Sequence, residues 1–139
     1  MRRLVFRSFI GLHRTLYRAS GGRIGGGRAV PILLLTTSGR KTGKRRTVPV
    51  QYLAEGETLV VVASNGGRPP HPAWFLNLRA EPRVEVELGR VRTVMRAREA
   101  TAEERERFWP RLVELWPTYD KYQRGTAREL PIVILEGSL

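Results

Sequence analysis

Thr47-Val48-Pro49-Val50-Gln51-Tyr52-Leu53-Ala54-Glu55-Gly56-Glu57-Thr58-Leu59-Val60-Val61-Val62-Ala63-Ser64 contains a strand, a tight turn and a second strand. Thr47–Leu53 and Thr58–Ser64 are rich in β-branched and aliphatic residues, which suit a pleated, half-buried surface. Glu55-Gly56 supplies the turn between them, so the two runs form a hairpin. Upstream, Ile32–Thr37 has the same composition and makes another strand. Downstream, Arg83–Leu88 alternates polar and apolar residues through Val84, Val86 and Leu88. Gly89-Arg90 turns the chain and Val91–Arg98 returns, a second hairpin. Pro131–Glu136 is the last strand. Consecutive hairpins with few crossover helices predict an α+β domain, an antiparallel barrel with helices at its edge.

The helices carry their own signals. Pro72–Arg79 is a short helix bearing Trp74, Phe75 and Leu78. Thr101-Ala102-Glu103-Glu104 has a Thr N-cap with Glu three residues on, a capping box, and this helix runs to about Trp116, where Pro117 stops it. A short turn is expected around Tyr119–Gln123. At the N-terminus, Leu4–Tyr17 reads as an amphipathic helix. Val5, Phe6, Phe9, Leu12 and Leu16 share one side, and Arg3, Arg7, Arg14 and Arg18 the other. Gly21-Gly22-Arg23-Ile24-Gly25-Gly26-Gly27 then breaks the helix. The expected organisation is a basic amphipathic helix over 1–20, a glycine-rich linker over 21–30 and the barrel domain over 31–139.

Charge is distributed unevenly. Residues 1 to 46 hold 12 Lys or Arg and no acid, whereas the remainder balances 13 basic against 13 acidic residues. The net charge of +12 is therefore local, and it is densest in Ser38-Gly39-Arg40-Lys41-Thr42-Gly43-Lys44-Arg45-Arg46. Like charges packed on one turn repel unless an anion neutralises them, so a polyanion is expected there. Absence of cysteine excludes disulfides and thiol chemistry, and His13 and His71 are too few for a histidine-rich metal site, so no metal is expected. No run is long and apolar enough to span a bilayer, and arginines break the N-terminal apolar stretch, which argues against a cleaved signal peptide. A cytoplasmic placement is expected.

Which polyanion is a question of spacing. Gly39 and Gly43 are separated by three residues and Lys44 is followed by Arg45, so the P-loop pattern fails; the glycines of 21–27 do not have dinucleotide spacing. Nucleic acid is disfavoured because the aromatic residues lie away from the basic turn, leaving no stacking platform beside the cations. Ser64-Asn65-Gly66-Gly67 ends a strand in a small polar corner where a planar ligand can approach main-chain amides. Trp74 and Asn77 share a helical face. Trp116, Tyr119 and Tyr122 recur every third residue beside Pro117, as a mobile aromatic wall would.

The runs Leu33–Gly43, Val61–Gly67, Pro72–Leu78 and Pro131–Ile134 together resemble the deazaflavin-dependent nitroreductase family, in consistent order over 21 to 136. The resemblance implies a split antiparallel β-barrel, like FMN-binding split barrels, that binds coenzyme F-420, an 8-hydroxy-5-deazaflavin. It implies a reductase passing hydride from reduced F-420 to a quinone, nitroaromatic or similar acceptor. The phosphodiester and glutamate tail of F-420 would then be the expected polyanion. Arg40, Lys41, Thr42, Gly43 and Arg46 match the positions that grip the tail and phosphate. The resemblance further implies that Val48 and Pro49 would run beside the cofactor and that Ala63, Ser64, Asn65 and Gly66 would line its ring and phosphate, with Trp74 and Asn77 on the adjoining helix. Trp116, Tyr119 and Tyr122 match the substrate wall, and Ser64 or Tyr119 is the expected donor to the acceptor oxygen. The chain departs from the family pattern at Asn65, Val48 and Trp116, which bears on substrate range.

Three other expectations accompany this one. The basic N-terminal helix suits either peripheral association with the anionic inner face of the cell membrane, where quinones reside, or packing on the barrel or a dimer partner. A homodimer is open. The competing functions are a non-catalytic F-420 or flavin carrier, and a basic module that associates with membrane or nucleic acid.

Overall fold

The computed structural model describes residues 31–137; the expected N-terminal helix and glycine-rich linker lie outside them. Seven strands follow one another as β1 (Ile32–Ser38), β2 (Arg45–Gln51), β3 (Leu53–Glu55), β4 (Thr58–Val62), β5 (Arg83–Leu88), β6 (Val91–Glu99) and β7 (Ile132–Gly137). Helices α1 (Ala73–Ala80), α2 (Ala102–Leu115) and α3 (Thr118–Arg124) complete the fold, with a 3-10 turn at Asn65–Gly67. All strand pairs are antiparallel, in the order β2-β1-β5-β6-β7-β4-β3. This is the expected α+β architecture.

One residue rolls the sheet into a barrel. The expected single strand over Thr47–Leu53 is interrupted at Tyr52, and the chain exchanges partners there: Arg45–Gln51 pairs with β1, whereas Leu53–Glu55 pairs with β4. The two edges of the sheet are thus consecutive in sequence. Tyr52 is buried in the barrel, and its N–H donates to the Pro31 carbonyl (3.1 Å). Pro49 is tolerated in β2 because β2 hydrogen-bonds to a strand on one side only.

The fold holds two apolar clusters. Leu33, Leu35, Tyr52, Leu59, Val61, Phe75, Val84, Val86, Met95, Val133 and Leu135 belong to the one that fills the barrel. On the opposite face of β4 and β7, Val60, Val62, Ile132 and Ile134 meet Phe108, Leu112, Tyr119 and Leu130. Strands covered on both faces need apolar residues at every position, and Leu59–Val62 and Ile132–Leu135 are buried throughout.

Helix α2 begins as its sequence predicts. Thr101 Oγ1 accepts from the Glu104 N–H (3.2 Å) and Glu104 Oε1 from the Thr101 N–H (2.9 Å). Arg98 of β6 donates to both Glu104 oxygens (2.7 and 2.9 Å) and to Glu136 of β7 (2.9 Å), fastening the helix start to the sheet. The turn expected at Tyr119–Gln123 is instead helix α3, which starts immediately after Pro117. Pro117 ends one helix and precedes the next because its fixed φ suits a helix start. Among the described residues, no helix is long and apolar enough to cross a membrane.

Candidate functional site

An open cavity of about 590 Å³ lies where the β1–β2 wall meets α3. Ile32, Pro49, Val50, Gln51 and Val62 form its barrel side, and Ser64, Asn65, Gly66 and Arg68 its loop side. Trp74 of α1 and the aromatic group Trp116, Tyr119 and Tyr122 complete it. A second cavity, of about 660 Å³, opens beside the start of α2 and is lined by Glu99, Glu103, Glu106 and Glu129 with Arg105. Four carboxylates would repel an anionic ligand, whereas the first cavity has no acid in its lining and one arginine.

The loop wall depends on left-handed backbone. Asn65, Gly66 and Gly67 have φ of 50°, 65° and 79°. Gly67 is also a steric requirement: a Cβ there would stand 3.1 Å from the Tyr122 backbone and side chain. The loop and α3 consequently pack as neighbours. Ser64 precedes the 3-10 turn without using its side chain as a cap, and its carbonyl accepts from the Gly67 N–H (2.8 Å).

Tyr119 is placed differently from the expected free donor. Its hydroxyl donates to Gln51 Oε1 (2.9 Å), and only 4% of the residue is exposed. Burial, and secondarily Tyr122, raises the phenol above its ordinary value of 10.0, so it stays neutral. The Tyr119 hydrogen is committed to Gln51 Oε1, which orients the carboxamide and leaves its amide group as a donor. Ser64 lines the same cavity.

The cationic turn lies outside the cavity lining. It is closed by the Gly39 N–H to the Lys44 carbonyl and the Gly43 N–H to the Gly39 carbonyl, both 2.7 Å, with Gly43 at φ 73°. Thr42 Oγ1 accepts from the Lys44 N–H (3.2 Å), so Thr42 and Gly43 shape the turn. Arg45 pairs with Glu85, while Arg40, Lys41, Lys44 and Arg46 have no carboxylate partner among the described residues. Asn77 connects this turn to α1. Its Oδ1 accepts from the Arg40 backbone N–H (3.1 Å) and from Arg40 Nη1 (3.0 Å), and its Nδ2 donates to Thr37 Oγ1 (3.2 Å). Trp74 in the cavity wall and Asn77 under the turn are one helical turn apart, roughly 5 Å along the axis.

Three expected ligand residues therefore work through the scaffold. Asn77 is buried with its carboxamide engaged inside the protein. Ala63 is fully enclosed, its N–H bonded to the Pro131 carbonyl (2.9 Å). Val48 packs against the barrel interior. Conversely, the cavity includes Gln51 and Arg68, which the sequence did not single out. Arg68 stands in the loop that runs from Asn65 to Pro70, where a lone arginine carries no local pattern that marks it as a cavity residue. Among the described residues, no cluster of His, Asp and Glu is fit to hold a metal ion.

The residues fit an elongated anion with a planar head. Aromatic rings and glycine backbone line the cavity, while the cationic turn, four of whose cations have no carboxylate partner among the described residues, meets the helix carrying Trp74 one turn further on, at Asn77. A family model described as F420H(2)-dependent quinone reductase matches residues 10–137. The F420H(2)-dependent quinone reductase Rv1261c of Mycobacterium tuberculosis is 37% identical over 134 residues, covering 89% of this chain and 87% of that protein. A solved structure described as an F420-H2 dependent reductase (FDR-A) superposes with a TM-score of 0.70 at 44% identity, over 76% of this chain and 94% of its own. A second, described as a domain-swapped dimer, has a TM-score of 0.70 at 38% identity over 94% and 99% of the two chains.

Proposed function

The chain belongs to the F420H(2)-dependent quinone reductase family, and we propose that its open cavity is where reduced coenzyme F-420 meets a quinone. The observation that carries this is the cavity's connection, through Trp74 and Asn77 on one helix, to a turn whose Arg40, Lys41, Lys44 and Arg46 have no carboxylate partner among the described residues. Arg40, Lys41 and Arg46 would hold the anionic tail, while Asn65, Gly66 and Trp74 would frame the deazaflavin. When bound, F-420 supplies the hydride, and the protein contributes position and electrostatics.

The remaining lining residues serve the acceptor. Trp116 and Tyr122 provide flat walls for a planar ring. Gln51, oriented by Tyr119, and Ser64 Oγ are hydrogen-bond donors for an acceptor oxygen as negative charge develops on it. That geometry suits a quinone carbonyl, and a nitro group offers comparable oxygens, so nitroaromatics are the second acceptor class. The test is to mix the protein with reduced F-420 and menadione, or a nitroaromatic, and follow the return of oxidised F-420 absorbance. Turnover with menadione is expected. Binding without turnover of either acceptor would favour a carrier, and no binding of F-420 would remove the assignment.

Quinones reside in bilayers, which favours peripheral membrane placement through the basic N-terminal segment. Sedimentation with anionic liposomes, comparing the full chain with one starting at Gly21, tests it; equal partitioning would count against it.

A further inference from the structure

Arg128 lies between α3 and β7 and is not in the cavity lining, yet its guanidinium is bonded to the loop that is. Nε donates to the Arg68 carbonyl (2.9 Å) and Nη2 to the Ser64 carbonyl (2.7 Å). Nη1 donates to the Ala63 carbonyl (3.3 Å) and stands 3.1 Å from His71 Nδ1. Among the described residues, no carboxylate forms an ion pair with Arg128, so its charge is directed at main-chain carbonyls. Bonds from a cation are stronger than neutral ones. The other end is anchored too: the Arg128 carbonyl accepts from Gln123 Nε2 of α3 (2.8 Å), and Gln123 Oε1 accepts from the Leu130 N–H (2.8 Å).

The loop needs such a restraint. Asn65 holds a left-handed conformation that is unfavourable for a non-glycine residue, and the two residues after it are glycines with high conformational freedom. Three carbonyls spread over six residues converge on one rigid fork, which fixes the curvature of the whole segment. Gly67 meanwhile lets Tyr122 pack directly on that segment.

Building on the F-420 reductase assignment, we propose that Arg128 is a positioning residue that holds the Ser64–Arg68 loop in its cavity-lining shape and ties it to α3. The loop facing the cofactor and the aromatic wall facing the acceptor then keep one spacing.

The test compares Arg128→Met and Arg128→Lys with the wild type, all as full chains. Amide hydrogen exchange without cofactor should be about tenfold faster at 64–68 in Arg128→Met, while β5 and β6 keep their protection. The Kd for F-420 and the KM for menadione should each rise about tenfold, more than kcat falls. Arg128→Lys, which keeps the charge but not the fork, should recover part of each change. Unchanged exchange at 64–68, or a lower kcat with Kd and KM unaltered, would overturn the proposal. If Arg128→Met does not fold, exchange in Arg128→Lys decides: loosening confined to 64–68 supports the clamp, and native protection there contradicts it. The exchange measurement needs no cofactor, so it judges the clamp even if the wild type fails to bind F-420.

Discussion

Ile32-Leu33-Leu34-Leu35 in β1 and Leu59-Val60-Val61-Val62 in β4 are almost equally apolar, yet they end in different surroundings. Every one of the four β4 residues is buried, whereas Ile32 and Leu34 remain 54% and 37% exposed. The difference arises outside the strands. Phe108 and Leu112 of α2 and Tyr119 of α3 cover the outer face of β4 and β7, whereas the outer face of β1 and β2 leaves Ile32 and Leu34 exposed and meets α3 at Gln51. Ile32, Pro49 and Gln51 of the open wall line the cavity instead. The covered wall supports the fold, and the open wall is the face proposed for ligands.

That division predicts that stability and binding respond to different substitutions. The largest effect belongs to Phe108→Ala on the covered wall, which should cost about 3–5 kcal/mol in denaturant unfolding. Affinity of the folded fraction for F-420 should stay within about threefold. A stability change below about 1 kcal/mol would mean that α2 packs loosely and the two walls are alike.

On the ligand side, Lys41→Ala should weaken F-420 binding by about 1–3 kcal/mol and change stability by less than about 0.5 kcal/mol. Calorimetric titration at low and high salt should show the deficit shrinking as salt screens the wild-type contact. An unaltered affinity would place the tail elsewhere. Arg40→Ala is expected to act similarly but with some loss of stability, because Asn77 Oδ1 would lose its Arg40 Nη1 partner.

A smaller effect is expected where the walls meet. Tyr119→Phe removes the hydrogen bond to Gln51, and catalytic efficiency with menadione should fall by about 0.5–1.5 kcal/mol in transition-state terms. F-420 affinity should hold within about threefold, under 0.7 kcal/mol. If F-420 binding collapses while turnover per bound cofactor is unchanged, this tyrosine serves the cofactor or the core.

The mildest effect concerns acid. Glu104 is held down at about 2, chiefly by its hydrogen bond from Arg98 and then by the Thr101 N–H. A depressed carboxylate stabilises the fold fully above its unfolded value near 4.5 and loses that contribution as pH falls toward 2. The Tm gap between wild type and Glu104→Gln should be widest at neutral pH and close towards pH 2. A gap independent of pH would show that the ion pair does not anchor the covered wall.

How much of this was legible in the sequence depended on range. The β5–β6 hairpin was readable because Val84, Val86 and Leu88 alternate and Gly89 marks the turn; the α2 start was readable because Thr101 and Glu104 contact each other within one helical turn. The partner exchange at Tyr52 was hidden, since Thr47 to Glu55 contains no turn signal and only the distant strands β1 and β4 define the break. The site divides in the same way. Ser64, Asn65, Gly66, Trp74, Trp116 and Tyr122 stand in recognisable local runs and meet in one cavity. Gln51 and Arg128 act through partners 68 and 64 positions away, for which no local pattern exists.

The central claim, that the open wall and its cationic turn form a site for a long anionic deazaflavin, is tested most directly by titrating the protein with F-420 and with FMN under the same conditions. F-420 should bind at least about tenfold more tightly, roughly 1.4 kcal/mol, because FMN carries a single phosphate and leaves most of the cations unmet. Equal or tighter binding of FMN would contradict the account.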